Sequence, residues 1–186
     1  MRVISGDLKG KKILPPINNN TRPLRDLVKE SIFNLIEHSN KFDCFIKDSN
    51  ILDLFSGTGS FGIECISRKA KKVTFVENHK DALLILKKNI LLLKAQKKSK
   101  IIEKNCFNYF NFQNKIEEKF NLIFVDPPYK EEKINIIINT IKEKKILTQN
   151  GIFIIHRHKK DKIDITDNLK ILDERTYGIS KITIGG

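Results

Sequence analysis

Short apolar runs alternate with longer amphipathic stretches along most of this chain. The short runs are rich in Ile, Val and Phe, as buried strands are, and the longer stretches carry apolar residues at helical spacing. The pattern predicts strands at Ile51–Phe55, Lys72–Glu77, Ile101–Glu103, Asn121–Asp126, Gly151–His156, Leu169–Glu174 and Ile179–Ile184. It predicts helices at Leu24–Ile36, Ser60–Arg68, His79–Ala95 and Glu131–Lys144, and a helix or turn at Phe107–Phe112.

Strands that alternate with helices indicate an α/β protein with a doubly wound, mostly parallel sheet. The last two predicted strands have no helix between them, which indicates an antiparallel hairpin at the sheet edge. Residues 1–40 form an N-terminal extension of short strands, a loop and a helix, which we expect to pack on the main body. We interpret residues 1–186 as a single domain.

A glycine-rich segment follows the first predicted strand and opens a helix. Gly57, Gly59 and Gly62 form the pattern G-x-G-x-x-G, which lets the backbone turn sharply and approach a nucleotide cofactor. Glu77 ends the second strand, where it suits the ribose of either NAD or S-adenosylmethionine. Asp53 stands just before the loop, where a carboxylate repels pyrophosphate and attracts a cationic amino acid group. The loop therefore favours S-adenosylmethionine.

The tetrapeptide Asp126-Pro127-Pro128-Tyr129 is the most specific signal in the chain and follows the apolar strand NLIFV. Two prolines cannot continue a hydrogen-bonded ladder, so they set a rigid turn. The Asp126 carboxylate and the Pro127 carbonyl supply two hydrogen-bond acceptors, and Tyr129 supplies a flat ring. This set fits a planar amine, such as the exocyclic amino group of a base, and Asp126 is also placed to take the departing proton.

Composition adds a preference for polyanions but does not identify one. Lys and Arg number 35 against 22 Asp and Glu, a formal net charge of +13, which favours nucleic acid or an anionic membrane surface. A lysine-rich coding bias explains the excess equally well. No apolar stretch approaches the roughly 20 residues of a membrane span, and the start has no secretory pattern. The cysteines Cys44, Cys65 and Cys106 indicate neither disulfides nor zinc, so we expect a reduced, cytoplasmic protein.

Together the two motifs resemble those of class I S-adenosylmethionine-dependent methyltransferases that act on amines. More closely, the chain resembles the RsmD family, which methylates guanine N2 in small-subunit (16S) ribosomal RNA. The matching segments are Arg2–Gly6, Gly10–Lys12, Thr21–Pro23, Asp26–Asn34, the loop segment DLFSGTGSFGIE, DPPY and Arg175–Gly178. The resemblance implies a Rossmann-like, seven-stranded sheet that is parallel except for its last strand.

The resemblance also implies roles for individual residues. The expected catalytic residues are Asp126, Pro127, Pro128 and Tyr129. The expected cofactor-binding residues are Asp53, Leu54, Phe55, Gly57, Gly59, Glu77, Asn78, Asn105 and Cys106. The expected RNA-binding residues are Arg2, Lys9, Lys11, Lys12, Arg22 and Arg25, which supply the six basic charges of residues 1–25 against one acidic charge. The expected partner is ribosomal RNA, free or in the assembled small subunit, and we expect a monomer without metal.

Other functions remain open at this point. Adenine-N6 methylation of DNA or RNA is the nearest alternative, because DPPY serves that amine equally well. Glutamine methyltransferases that act on protein usually carry Asn at the position of Asp126. An NAD-dependent enzyme leaves DPPY unexplained, and an RNA-binding protein without catalysis leaves both motifs unexplained.

The end of the fifth strand departs from the family, which more often has an acidic residue there. This chain has His156, Arg157 and His158. Two histidines do not make a zinc site, so we expect them at the surface or facing RNA. Cys106 has no histidine near it in sequence and is expected to make a small apolar contact beside the cofactor.

Overall fold

Seven strands form one sheet in the computed structural model, which describes residues 1–17, 24–111, 118–128, 131–161 and 170–186. The strands are β1 (Asn50–Leu54), β2 (Lys72–Glu77), β3 (Ser99–Glu103), β4 (Phe120–Val125), β5 (Leu147–His158), β6 (Ile171–Tyr177) and β7 (Ser180–Gly185). The helices are α1 (Asp26–His38), α2 (Ser60–Ser67), α3 (Lys80–Leu92), α4 (Cys106–Asn111) and α5 (Ile134–Glu143). A 3₁₀ turn at Gln96–Lys98 precedes β3.

The strand order across the sheet is β3-β2-β1-β4-β5-β7-β6. The pairs β1–β2, β1–β4, β2–β3 and β4–β5 are parallel, whereas β7 runs antiparallel to both β5 and β6. The predicted doubly wound sheet, with only its last strand reversed, is therefore confirmed. The chain moves outward from β1 to β3 and then returns to place β4 beside β1. In open α/β sheets, ligands bind at the carboxyl ends of the strands at such a switch point.

Helices cover both faces of the sheet, so the central strands are buried on both sides. Ile51, Leu52 and Leu54 of β1 are fully buried, which explains why this strand reads as a continuous apolar run. One core contains residues of α1, α2 and α3, and the second contains residues of α4 and α5. In the first core the Phe61 ring of α2 stacks on the Phe124 ring of β4 with centroids 3.9 Å apart. Both residues lie directly beneath the switch point between β1 and β4.

The first 14 residues fold back on themselves and attach to α2. Arg2 and Lys12 form an antiparallel bridge. The carboxylate of Glu64, fully buried in α2, accepts hydrogen bonds from the backbone N–H groups of Ile4 (2.7 Å) and Ser5 (2.9 Å). This buried carboxylate thus serves to hold the N-terminal segment rather than to bind a ligand.

Helix α1 places the buried ammonium group of Lys29 beside Glu64 and the N-terminal segment. Lys29 is fully buried, and its Nζ donates to the Arg2 carbonyl at 2.9 Å and to Ser60 Oγ at 3.1 Å. The Glu64 carboxylate lies 3.8 Å from this Nζ. Burial lowers the pKa of Lys29, and the nearby Glu64 and Asp26 carboxylates partly oppose that shift. Lys29 therefore ties α1 and the N-terminal strand to the start of α2.

No helix within the described parts of the chain has both the length and the apolar character needed to cross a membrane.

Candidate active site

The glycine-rich loop turns sharply between β1 and α2 because several of its residues adopt left-handed backbone angles. Phe55, Gly57 and Gly59 have φ values of +56°, +55° and +84°. Gly59 is the N-cap of α2, and a Cβ at this position would lie only 2.4 Å from Leu86 Cδ1. A side chain at Gly59 would require the flexible end of Leu86 to shift, so the main reason for glycine here is its left-handed backbone angle.

Asp53 lies beneath this loop with 1% of its surface exposed. Its Oδ2 accepts a hydrogen bond of 3.0 Å from the Gly62 backbone N–H in the first turn of α2. Burial raises the pKa of the Asp53 carboxyl well above its usual range, and the nearby Asp126 and Glu77 carboxylates raise it further. The bond from Gly62 opposes that rise. A cation entering the cavity would favour the charged form of Asp53.

Glu77 closes the loop from the end of β2. Its Oε2 accepts from the Gly57 backbone N–H at 2.8 Å, and its Oε1 accepts from the backbone N–H groups of Asn78 (2.8 Å) and His79 (2.9 Å). The carboxylate therefore fixes the loop and the start of α3 at once. Its Oε2 already holds one N–H group, so a ribose bound here would share this oxygen with Gly57.

Residues after β3 form the next wall. Asn105 Oδ1 accepts from the Phe107 backbone N–H at 2.9 Å, which fixes the turn into α4. The Phe107 and Phe55 rings meet edge to face with centroids 6.0 Å apart. Cys106 lies behind this wall, where its Sγ accepts from the Phe55 backbone N–H at 3.2 Å. Burial raises the pKa of the Cys106 thiol, so it stays neutral and is a poor nucleophile.

The turn after β4 is held by the end of β5. Asp126 Oδ1 lies 2.9 Å from His156 Nδ1, and Arg157 Nη1 donates to the Pro128 carbonyl at 2.9 Å. His156 is 1% exposed, so the expectation of a surface or RNA-facing position is wrong for this residue. It is buried because the parallel register of β4 and β5 sets it beside Asp126. Tyr129, the fourth residue of the motif, lies outside the described residues.

These walls enclose one cavity of about 380 Å³, within the usual range for small-molecule sites. Its lining brings together most of the predicted cofactor and catalytic residues, namely Asp53, Phe55, Gly57, Glu77, Asn78, Asn105, Asp126, Pro127 and Pro128. Leu54, Gly59 and Cys106 do not line it. Leu54 and Cys106 are buried in the second core, and Gly59 packs against α3.

Sequence reasoning missed several lining residues, namely Pro16, Leu24, Ser56, Thr58, Ser60, Phe61, His79, Phe107, Phe124 and Glu131. The lining residues inside the glycine-rich segment could have been predicted from their place in that motif. Pro16 and Leu24 were not, because they reach the cavity only through the docking of the N-terminal extension. Their presence places the extension at the rim of the site.

The predicted RNA-binding residues Arg2, Lys9, Lys11, Lys12 and Arg25 are all exposed. Lys12 lies four residues before Pro16, and Arg25 directly follows Leu24, so both lie close to the rim in sequence. Arg22 lies outside the described residues. His158 is partly buried, and its Nδ1 accepts from the Lys160 backbone N–H at 3.2 Å. The described residues contain no group of three or more His, Cys, Asp and Glu side chains placed to hold a metal.

A family model and curated relatives match this chain over most or all of its length. The model of the family described as "Conserved hypothetical protein 95" matches residues 1–186. The chain is 33% identical to "Ribosomal RNA small subunit methyltransferase D" of Haemophilus influenzae, over 96% of this chain and 90% of that protein. It is 34% identical to the protein of the same name from Buchnera aphidicola, over 89% and 82% of the two chains.

A solved structure has the same fold as this chain. The structure of yhhF from Escherichia coli superposes with a TM-score of 0.81 at 25% identity, covering 100% of this chain and 96% of that one. The resemblance seen in the sequence is therefore confirmed, and the chain belongs to the RsmD family.

Proposed function

We propose that this protein transfers a methyl group from S-adenosylmethionine to the exocyclic N2 amine of a guanine in small-subunit (16S) ribosomal RNA. The observation that carries the proposal is the single cavity that joins the glycine loop and Glu77 to the Asp126-Pro127-Pro128 turn. The methyl donor and the target base would then lie side by side. The names of the relatives support ribosomal RNA as the substrate. The guanine base is supported by the family resemblance alone.

The charges of the cavity fit S-adenosylmethionine. Asp53, Glu77 and Asp126 supply three carboxyl groups to its lining, which suits a ligand with a sulfonium and an ammonium group. Phe55 and Phe107 supply apolar surface for the adenine. When bound, the cofactor supplies an electrophilic methyl group on sulfur.

The turn Asp126-Pro127-Pro128 then binds and orients the target amine. The carboxylate of Asp126 and the carbonyl of Pro127 accept hydrogen bonds from the two amine protons and hold the nitrogen in line with the methyl group. Asp126 and Pro127 would hold the nitrogen in this position while it forms a bond to the methyl group, which would leave the cofactor's sulfur with the electron pair of the broken S–C bond. The nitrogen then carries one proton too many, and Asp126 or solvent takes it.

Substitution of Asp126 by Ala tests this assignment. We expect methyl transfer to be lost, by about 100-fold or more, while cofactor binding measured by titration persists. The assay uses labelled S-adenosylmethionine with purified small subunits and with free ribosomal RNA. Nucleoside mass spectrometry then identifies the methylated base.

The outcomes separate the alternatives. Methylated guanine supports the proposal, methylated adenine moves the function to N6 chemistry, and retained transfer by Asp126→Ala removes the role of Asp126. Transfer to subunits but not to free RNA would show that the assembled particle is the substrate. We further propose that the protein acts as a monomer in the cytoplasm, where its RNA substrate is.

A further inference from the structure

A buried histidine touches the carboxylate that the proposed reaction uses. His156 Nδ1 lies 2.9 Å from Asp126 Oδ1, within the range of a strong, charge-assisted hydrogen bond. His156 is 1% exposed, whereas Asp126 reaches the cavity. The histidine therefore approaches Asp126 from inside the protein, and Asp126 itself lines the cavity in which the target base would lie.

The roles of the two groups in this bond follow from their chemistry. An ionised carboxylate has no proton and only accepts, so Nδ1 of His156 carries the hydrogen. This assigns the Nδ1–H tautomer when the ring is neutral. With Oδ1 held by the histidine, the Asp126 side chain is restricted to one orientation, which also fixes the direction of its second oxygen.

The rest of the turn is fixed from the same strand. Val125 of β4 pairs with Ile155 of β5, so the next residues along each strand are neighbours. Arg157 follows His156 and donates to the Pro128 carbonyl at 2.9 Å, and its Nε lies 2.9 Å from Asp161 Oδ2. The end of β5 thus holds both the side chain at the start of the turn and the backbone at its end.

Other carboxylates lie near Asp126, so a hydrogen-bond donor helps to hold its side chain in one orientation. The Asp126 carboxylate is close enough to Asp53 to raise the pKa of that carboxyl, and Glu77 and Glu131 line the same cavity. Like charges repel, and a donor on the buried side counters a rotation of Asp126 away from them. His156 supplies that donor.

We propose that His156 is a positioning residue for methyl transfer, which donates a hydrogen bond from Nδ1 to Asp126 and thereby orients the carboxylate toward the target amine. The inference rests on the proposed function, because it assigns Asp126 to that amine. His156 itself does not touch the substrate.

Two substitutions separate the hydrogen bond from the shape of the side chain. His156→Phe keeps a flat ring and removes the donor, and we expect kcat to fall by about 10- to 100-fold with little change in the KM for RNA or in cofactor affinity. His156→Asn places an amide N–H where Nδ1 was, and we expect kcat within about threefold of the wild type. The matched control is His158→Asn, two residues along the same strand, with unchanged kcat.

A third measurement does not depend on activity, and its first part needs only the wild-type protein. Nitrogen NMR of the wild-type protein reports which ring nitrogen of His156 carries the proton, and we expect Nδ1. In Asp126→Ala the same signal should shift, because its acceptor is gone.

The results distinguish failure of this inference from failure of the proposed function. If the wild type methylates RNA but His156→Phe retains its kcat, or if Nδ1 carries no proton, the positioning role is wrong. A loss of kcat in both His156→Phe and His156→Asn also contradicts it, since the donor alone would not then suffice. If the wild type methylates no RNA, the proposed function fails, and the NMR signal still shows whether the bond exists.

Discussion

Asp53 holds a carboxyl group inside the protein at the place where a cation is expected to bind. Its raised pKa means that the folded state disfavours its charge, so this group makes folding less favourable as the pH rises above the usual carboxyl range. A bound cation reverses that preference. Asp53 therefore lowers the stability of the free protein and raises its affinity for a cationic ligand.

Substitution of Asp53 by Asn should separate these effects. The amide oxygen can still accept from Gly62, and no charge is buried. We expect the free variant to melt at a higher temperature than the wild type, with a difference that grows as the pH rises above the ordinary carboxyl pKa of about 4. We expect its affinity for S-adenosylmethionine to fall, and the increase of wild-type affinity with pH to be lost. Calorimetry measures both the melting temperature and the binding.

Asp43→Asn is the control for this pair of effects, because Asp43 is exposed and is not part of the cavity lining. It should change neither quantity. A free Asp53→Asn protein that melts below the wild type would contradict the account of Asp53 as a buried, unfavourable charge.

At the level of single residues, sequence was informative wherever chemistry follows directly after a strand. Asp53, Glu77 and Asp126 were all predicted, and all of them line one cavity, because parallel strands bring their carboxyl ends to one edge. The contact of His156 with Asp126 was not predicted. The two residues are 30 positions apart, and only the register of β4 against β5 brings them together.

At the level of elements, the N-terminal segment depends on one close backbone approach. Gly6 has a φ of +80°, and a Cβ there would lie 2.0 Å from the Ser67 carbonyl oxygen at the end of α2. Asp7 N–H donates to that same oxygen at 2.9 Å. The segment therefore cannot dock with a side chain at position 6 unless it moves.

The matched pair Gly6→Ala and Gly10→Ala tests this attachment. Gly10 has nearly the same φ, +81°, but a Cβ added there would have no neighbouring heavy atom within 4 Å. Backbone strain should cost both variants about 1 kcal/mol, and the clash should cost Gly6→Ala about 1–3 kcal/mol more. Urea denaturation measures the free energy of unfolding. If both variants lose the same free energy of unfolding, the N-terminal segment shifts to avoid the clash at position 6 without a further loss of stability.

Element bounds followed the apolar pattern, and the largest error has a local cause. We predicted the fifth strand at Gly151–His156, and the pair Asn150-Gly151 at its start has the sequence of a typical turn. The strand instead begins at Leu147, which pairs with Phe120, and the register shifts before Ile152 pairs with Leu122. An irregularity inside a strand and a turn between strands use the same residues, so sequence alone does not separate them.

At the level of the whole molecule, the basic residues of the N-terminal segment lie on the element that reaches the cavity rim. Lys9, Lys11 and Lys12 are exposed, and Pro16 lines the cavity. If these lysines bind phosphates, their joint substitution by Gln should weaken RNA binding. It should also flatten the dependence of log affinity on log salt by about 0.7–0.9 for each phosphate that is no longer neutralised. Binding titrations at several salt concentrations measure the slope.

The control removes the same charge from another surface. Lys71, Lys88 and Lys97 are exposed, and Lys71 and Lys97 precede β2 and β3, at the edge of the sheet opposite the cavity. Their substitution by Gln should leave the slope unchanged. If both triple variants lower it equally, the binding responds to net charge rather than to the N-terminal segment.

The position of β7 has a consequence for how the protein is made. A growing chain can pair β1 to β5 as soon as each has been synthesised, but β6 cannot join them directly, because β7 lies between β5 and β6. Residues 171–177 must therefore wait, unpaired with the sheet, until Gly185 has left the ribosome. Until then β5 presents an open edge, including the apolar Ile154 and Ile155, to any other strand nearby. The nascent protein is thus most exposed to misassociation between the synthesis of β5 and the pairing of β7 with it.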